Sequence, residues 1–146
     1  MNNNVQWETS DPITILSSEL NNFAAEQTVL SLEIDNSLGS YLFNDIELSL
    51  NDLDTQPIED AKVELYLIQS IDGINYESGV SDGLDISTNN LIGIFSFKQS
   101  VVAQRYSLRK FIVPPRKYKY AIKNKTGVNW ANSGNTLKIL GYRYKN

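Results

Sequence analysis

Lys117-Tyr118-Lys119-Tyr120-Ala121-Ile122-Lys123 decides how the rest of the chain is read. Tyr118, Tyr120 and Ile122 alternate with Lys117, Lys119 and Lys123. Successive side chains of a strand point to opposite faces of its sheet. The stretch therefore reads as a half-buried strand, with the two tyrosines and the isoleucine inward and the lysines outward.

The same period recurs along the sequence. Val29 to Asp35 sets Leu30, Leu32 and Ile34 against Ser31, Glu33 and Asp35. Leu42 to Leu50 sets Leu42, Ile46, Leu48 and Leu50 inward, with Asp45, Glu47 and Ser49 outward. Ala61 to Gln69 sets Ala61, Val63, Leu65 and Leu67 against Lys62, Glu64 and Tyr66. Arg105 to Val113 sets Tyr106, Leu108, Lys110 and Ile112 against Arg105, Ser107, Arg109 and Phe111. With Ile13–Leu16, Ile92–Phe97 and Leu137–Tyr144, about eight strands are predicted.

Asp72-Gly73, Asp82-Gly83, Asn124 to Gly127 and Ser133 to Asn135 read as turns. Pro114-Pro115 breaks a ladder, because neither residue has an N–H to donate. The expected fold is all-β, an antiparallel two-sheet sandwich, with the jelly roll as one such arrangement. Ser18 to Gln27 is the one helix candidate. The predicted core is Leu32, Ile34, Leu48, Leu65, Leu67, Tyr120, Ile122 and Ile139. Residues 1–146 form one domain on this reading, with residues 1–11 as a flexible N-terminal arm carrying Trp7.

Composition narrows the chemistry. The 146 residues include no cysteine and no histidine, so thiolate chemistry and the commonest general base and metal ligand are missing. No run approaches a membrane span. The start, Met1 to Asn4, lacks a secretory signal pattern, so synthesis in a cytosol is expected. Asp52 with Asp54, Glu59 with Asp60, and Asp82 with Asp85 are local carboxylate pairs, but all sit beside turns, which favour Asp on backbone grounds. The Asp72–Asp85 loop adds Asn75 and Glu77 as hard oxygen ligands, in no recognised calcium spacing. Asn124-Lys125-Thr126 is a glycosylation sequon. No enzyme activity, no cofactor and no metal is predicted.

The net charge of −4 conceals an asymmetry. All 17 acidic residues lie between Glu8 and Asp85, with Lys62 as the one cation before Lys98; the 12 cations that follow have no acidic residue among them. One explanation is a charged partner or self-assembly. The other is that strands from the two halves pair, so opposite charges face each other inside one domain. Arg116 to Tyr120 interleaves cations with aromatics as a nucleic-acid surface does. Strand alternation, however, separates its tyrosines from its lysines, and the acidic balance disfavours a polyanion.

Phe111 to Tyr142 reads FIVPPRKYKYAIKNKTGVNWANSGNTLKILGY. Pro114-Pro115-Arg116, Lys123 to Gly127 and Ser133 to Leu137 within it, and Ser70 to Tyr76 upstream, resemble small virion proteins of tailed bacteriophages, including crAss-like phages. The resemblance covers roughly the second half of the chain and is carried mostly by turn residues. It implies a β-sandwich structural protein, most simply an auxiliary or decoration protein on the capsid. The alternative is a head-fibre, tail or adhesion component that binds a host glycan or another fibre protein. The partners implied are the major capsid protein, other virion proteins or further copies of the chain, with neither nucleic acid nor membrane. The place of action is the virion, after synthesis in the host bacterial cytoplasm. Trp7, Arg116, Lys117, Lys119 and Trp130 are the candidate protein-interaction residues.

Overall fold

A computed structural model describes residues 5–77 and 86–145. Its strands are β1 (Trp7–Thr9), β2 (Ile13–Leu16), β3 (Thr28–Leu30), β4 (Ile34–Asp35), β5 (Phe43–Leu50), β6 (Lys62–Ser70), β7 (Leu91–Ser96), β8 (Gln104–Ile112), β9 (Lys117–Lys125) and β10 (Thr136–Tyr144). They form two antiparallel sheets. In sheet I, β10 lies between β5 and an edge made of β1 and β2, and β8 closes the other side. In sheet II, β9 lies between β6 and an edge made of β3 and β4, and β7 closes the other side.

Each interrupted edge occupies one strand position. Counted so, sheet I runs first, eighth, third, sixth, and sheet II runs second, seventh, fourth, fifth. This is the strand order of a jelly roll. The eight predicted strands are its eight positions. The order also interleaves the acidic front of the chain with its basic back, since β10 and β9 each lie between two strands of the first half. Five of the six ion pairs among the described residues join an acid of the first part to a cation of the second: Glu8–Arg143, Glu26–Lys123, Glu26–Lys125, Glu33–Lys117 and Glu47–Arg105. The charge asymmetry is thus matched across strands within the domain.

The edges break for local reasons. Between β1 and β2, Pro12 has no N–H, and Ser10 takes over the ladder. Its N–H donates to the Gly141 carbonyl (2.7 Å) and its hydroxyl accepts from the Gly141 N–H (2.9 Å). After β3, the Ser31 hydroxyl accepts the Tyr120 N–H at 3.0 Å. Ser31 is therefore buried and Leu32 points outward, 52% exposed. Leu32 is removed from the predicted core, and Leu30 packs on the outer side of sheet II, whereas Val29 and Ile34 face the main core. Leu48, Leu65, Tyr120, Ile122 and Ile139 are buried as predicted, with Leu67 half-buried against them. Leu42 lies before β5 and is exposed.

Two further departures follow from backbone geometry. Asn44 pairs with Phe111 but Ile46 with Leu108, so Arg109 and Lys110 together oppose Asp45 in a β-bulge. Lys110 adopts φ +60°, and its N–H donates to the Asp45 carboxylate at 2.9 Å. The extra residue reverses the phase: Phe111 packs on the core and Ile112 is exposed, opposite to the simple alternation. The predicted helix is a single 3-10 turn, Ser18–Leu20. Asn22 and Glu26 both have positive φ, which ends helical geometry there. Leu20 and Phe23 still reach the core from this loop.

Sheet II is apolar on both faces at its centre. Tyr66, expected outward, is buried with Ile68 and Ala121 beneath Leu30, Tyr76 and Ile86. The connection from β6 to β7 supplies Tyr76 and Ile86 from opposite sides of its undescribed stretch.

Candidate binding surfaces

The end of the sandwich where β5 and β9 finish is held by buried asparagines. The Asn124 side-chain amide donates to the Phe23 carbonyl (3.0 Å) and the Val128 carbonyl (2.9 Å). Its oxygen accepts the Thr126 N–H (2.9 Å) and hydroxyl (2.6 Å). The sequon asparagine is thus fully buried with both amide hydrogens bonded, which closes it to modification in the folded chain. Trp130 belongs to the same knot. It is 3% exposed, stacks edge-on against Phe23 at 5.0 Å, and its indole N–H points to the Thr126 hydroxyl at 3.4 Å. The expectation that Trp130 offers a surface for sugar or protein is corrected: its ring is core. Gly127 has φ +77°, and a Cβ there would lie 2.5 Å from Ile58. Asn135 closes the next loop, donating to the Leu20 carbonyl (3.1 Å) and the Ala131 carbonyl (2.9 Å) and accepting from the Asn51 N–H (3.1 Å).

Lys117 and Lys119 lie on the outer face of sheet II. Lys117 pairs with Glu33 at 3.1 Å, and Lys119 sits 4.5 Å from the centre of the Tyr76 ring. The Tyr76 hydroxyl donates to the second Glu33 oxygen. Hydrogen bonds from Tyr76 and then Lys117 hold the Glu33 carboxyl below its ordinary range. Both cations are therefore engaged within the domain. Tyr118 and Tyr120 are buried on the other face, where the Asn44 amide donates to both hydroxyls (2.8 and 2.9 Å) across the two sheets. Burial raises both phenol pKa values. No nucleobase can stack on these rings.

The Asp72-Gly73 turn forms as expected. One Asp72 oxygen accepts the N–H groups of Asn75 (2.7 Å) and Ile74 (2.8 Å) and the Ser70 hydroxyl (3.1 Å); the other accepts the Asn75 side chain (2.8 Å). Those bonds hold the Asp72 carboxyl far below its ordinary range. Glu77 accepts from the Gln69 and Asn90 side chains at 3.1 and 2.8 Å. Asp82 and Asp85 of the proposed cation loop lie outside the described residues, as does the Asp82-Gly83 turn. Asp52 accepts the Ala103 N–H at 2.7 Å, tying two loops together.

Arg116 is at the opposite end of the sandwich, half-buried, its carbonyl accepting the Asn36 N–H at 3.2 Å. Three loops meet near it because Asp35, Lys117 and Ser70 end or begin adjacent strands. The loop after Asp35 carries Leu38, 92% exposed, and the loop after Ser70 carries Ile71 and Ile74, 81% and 80% exposed. No periodicity marks these three residues, since loops have none.

Trp7 lies on the outer face of sheet I. Residues 7–9, placed in the predicted flexible arm, pair with β10, and Glu8 meets Arg143 at 2.7 Å. Trp7 is 48% exposed and packs against Tyr144 (4.4 Å) and Tyr142 (5.4 Å). Phe43 extends the row at 5.4 Å from Tyr142, with Lys110 over its ring at 5.6 Å. Beside these rings runs a groove of ≈ 480 Å³ whose polar lining includes Asp45, Glu47, Ser107, Arg109 and Lys138. The outward residues of β5 and β10 were legible as the polar phase of their strands. Their meeting with Trp7 was not, because it depends on the pairing of the chain's two ends.

No helix among the described residues is long and apolar enough to cross a membrane. No family model matches the chain, and no curated protein matches it. Solved structures that it resembles include the Yersinia pseudotuberculosis-derived mitogen, at 12% identity over 98% of this chain and 87% of that one, TM-score 0.29. Desmodium yellow mottle tymovirus is matched at 12% identity over 97% and 87%, TM-score 0.35. TmCBM61 in complex with beta-1,4-galactotriose is matched at 10% identity over 95% and 88%, TM-score 0.34. Likeness at this level carries no argument about function.

Proposed function

We propose that this chain is a non-enzymatic structural protein of a tailed-phage particle, an auxiliary or decoration protein that binds capsid subunits in many copies. The observation that supports this reading most is the loop end carrying Leu38, Ile71 and Ile74. Large apolar side chains left this exposed on neighbouring loops suit burial against another protein. Arg116 beside them supplies a residue type favoured in interfaces. The major capsid protein or another virion protein is the partner, and the virion is the place of action, reached after synthesis in the bacterial cytoplasm.

The test uses particles of the encoding phage that lack this protein. Wild-type protein should cosediment with them. A Leu38→Asp, Ile71→Asp, Ile74→Asp variant should keep the wild-type circular dichroism and unfolding midpoint and lose at least tenfold in particle binding. A wild-type protein that ignores such particles, or a triple variant that binds them undiminished, sinks the reading. The second reading, a fibre, tail or adhesion component, is favoured by a different surface, the outer face of sheet I.

A further inference from the structure

On the outer face of sheet I the pairing register stacks the outward side chains in rows. Thr14, Lys138, Glu47 and Ser107 form one row across β2, β10, β5 and β8. Leu140 and Asp45 form the next, closed by Arg109 at the bulge. Thr9, Tyr142, Phe43 and Ile112 form the third, and Trp7 with Tyr144 the fourth. The face therefore passes from charged to aromatic over a few residues.

The charges are not equivalent. Asp45 accepts the Lys110 N–H at 2.9 Å and the Tyr142 hydroxyl at 3.1 Å. Glu47 pairs with Arg105 at 3.6 Å. Among the described residues, neither Arg109 nor Lys138 is in an ion pair. The acids of the groove are thus occupied within the face and the cations are available. A guanidinium in that position offers two parallel N–H donors to a carboxylate.

From this juxtaposition we infer that the groove lined by Asp45, Glu47, Ser107, Arg109 and Lys138, continued along β10 by the Tyr142, Tyr144 and Trp7 rings, binds an acidic oligosaccharide. A sugar carboxylate would meet Arg109 and Lys138. Ring hydroxyls would meet Ser107 and the remaining acceptor capacity of Asp45 and Glu47, and the apolar C–H face of a sugar further along the oligosaccharide would lie on the exposed aromatic rings. A groove of ≈ 480 Å³ is of the size that holds such a ligand. A protein partner fits less well, because the centres of protein interfaces are depleted of charge and the charges here line the middle of the groove. The inference does not depend on the capsid reading, which concerns the loop residues Leu38, Ile71 and Ile74.

The experiment has two arms on the full chain. The first screens wild-type protein on an array of printed acidic and neutral oligosaccharides. The second titrates ¹⁵N-labelled protein with the best acidic hit, with its uncharged counterpart and with a polyglutamate peptide. The expected result is retention of uronate-bearing sugars over neutral ones, with amide shifts confined to β1, β5, β8 and β10. Arg109→Gln with Lys138→Gln, and separately Tyr144→Ala, should each weaken binding at least tenfold with no change in the folded spectrum elsewhere. Raising salt should weaken the wild type more than the double variant. Retention of no acidic sugar, shifts elsewhere in the fold, or equal binding by the folded variants overturns the inference. Binding of polyglutamate alone, with the sugars inert, also overturns it and makes the face a protein surface. Should the double variant not fold, Arg109→Gln alone carries the test.

Discussion

The two tryptophans occupy two kinds of region. Around Trp130, loops from distant parts of the chain converge on Asn124, Thr126 and Phe23, and polar atoms there find partners within the protein. Around Trp7, aromatic rings lie on an open sheet face. The first arrangement holds the fold. The second has little to hold and is free to meet another molecule. Residue type did not distinguish them, since both are tryptophans in Asn-rich surroundings; the partners of their neighbours did.

The sharpest way to break this comparison is to truncate each ring. Trp130→Ala should cost ~3–5 kcal/mol, as removal of a buried large aromatic does, and Trp7→Ala only about 1 kcal/mol, the worth of an exposed aromatic pair. Urea unfolding of both variants measures the difference, and equal losses would erase the distinction. Next in size is Asn124→Ala. It removes one of two donors from each of the Phe23 and Val128 carbonyls, which keep the Trp130 N–H and the Thr126 hydroxyl, and takes the side-chain acceptor from the buried Thr126 N–H, at about 1–3 kcal/mol. Refolding experiments with this variant should show the loss mainly as a lower denaturant midpoint with unchanged slope.

A smaller effect separates the cations. The triple change Arg116→Gln, Lys117→Gln, Lys119→Gln removes the Glu33 pair and the Tyr76 contact, so it should lower stability by ~1 kcal/mol. An unchanged unfolding midpoint would return these residues to the role of a free docking surface. The smallest effect is pH-dependent. Asp72 is held low by the Asn75 and Ile74 N–H groups. A depressed carboxyl contributes stability that is present at neutral pH and lost as pH falls through and below the ordinary carboxylate range. Asp72→Asn should flatten the acid limb of a midpoint-against-pH curve by lowering the neutral plateau, with little change at the acid end.

Much of the fold was legible because half-buried strands repeat with period two. Tyr118, Tyr120 and Ile122 were readable as core for that reason. The departures arise where a side chain or an extra residue replaces ladder geometry. The Ser31 hydroxyl turns Leu32 outward, and the Lys110 bulge exchanges Phe111 and Ile112. Neither leaves a mark in hydrophobic pattern. Tyr66 was misread because its cover comes from Tyr76 and Ile86, far along the chain. The turn motifs of the second half were singled out from sequence, and their residues prove to be structural: Asn124, Thr126, Gly127 and Asn135 fasten loops. Of the candidate interaction residues, Trp7 lies on an open face, Trp130 in the core, Lys117 and Lys119 in internal contacts, and Arg116 beside the apolar loop tips. The aromatic and charged face of sheet I depends on β1 meeting β10, a pairing between the chain's two ends that three strand residues cannot announce.

The most direct measurement uses the two tryptophans as reporters. Trp130→Phe leaves Trp7 as the sole indole, and Trp7→Phe leaves Trp130. Acrylamide quenching of the two folded variants should be strong for Trp7 and weak for Trp130, with both becoming equally accessible in denaturant. Equal quenching in the folded state, or a protected Trp7, would contradict the assignment of one region to the core and the other to an open binding face.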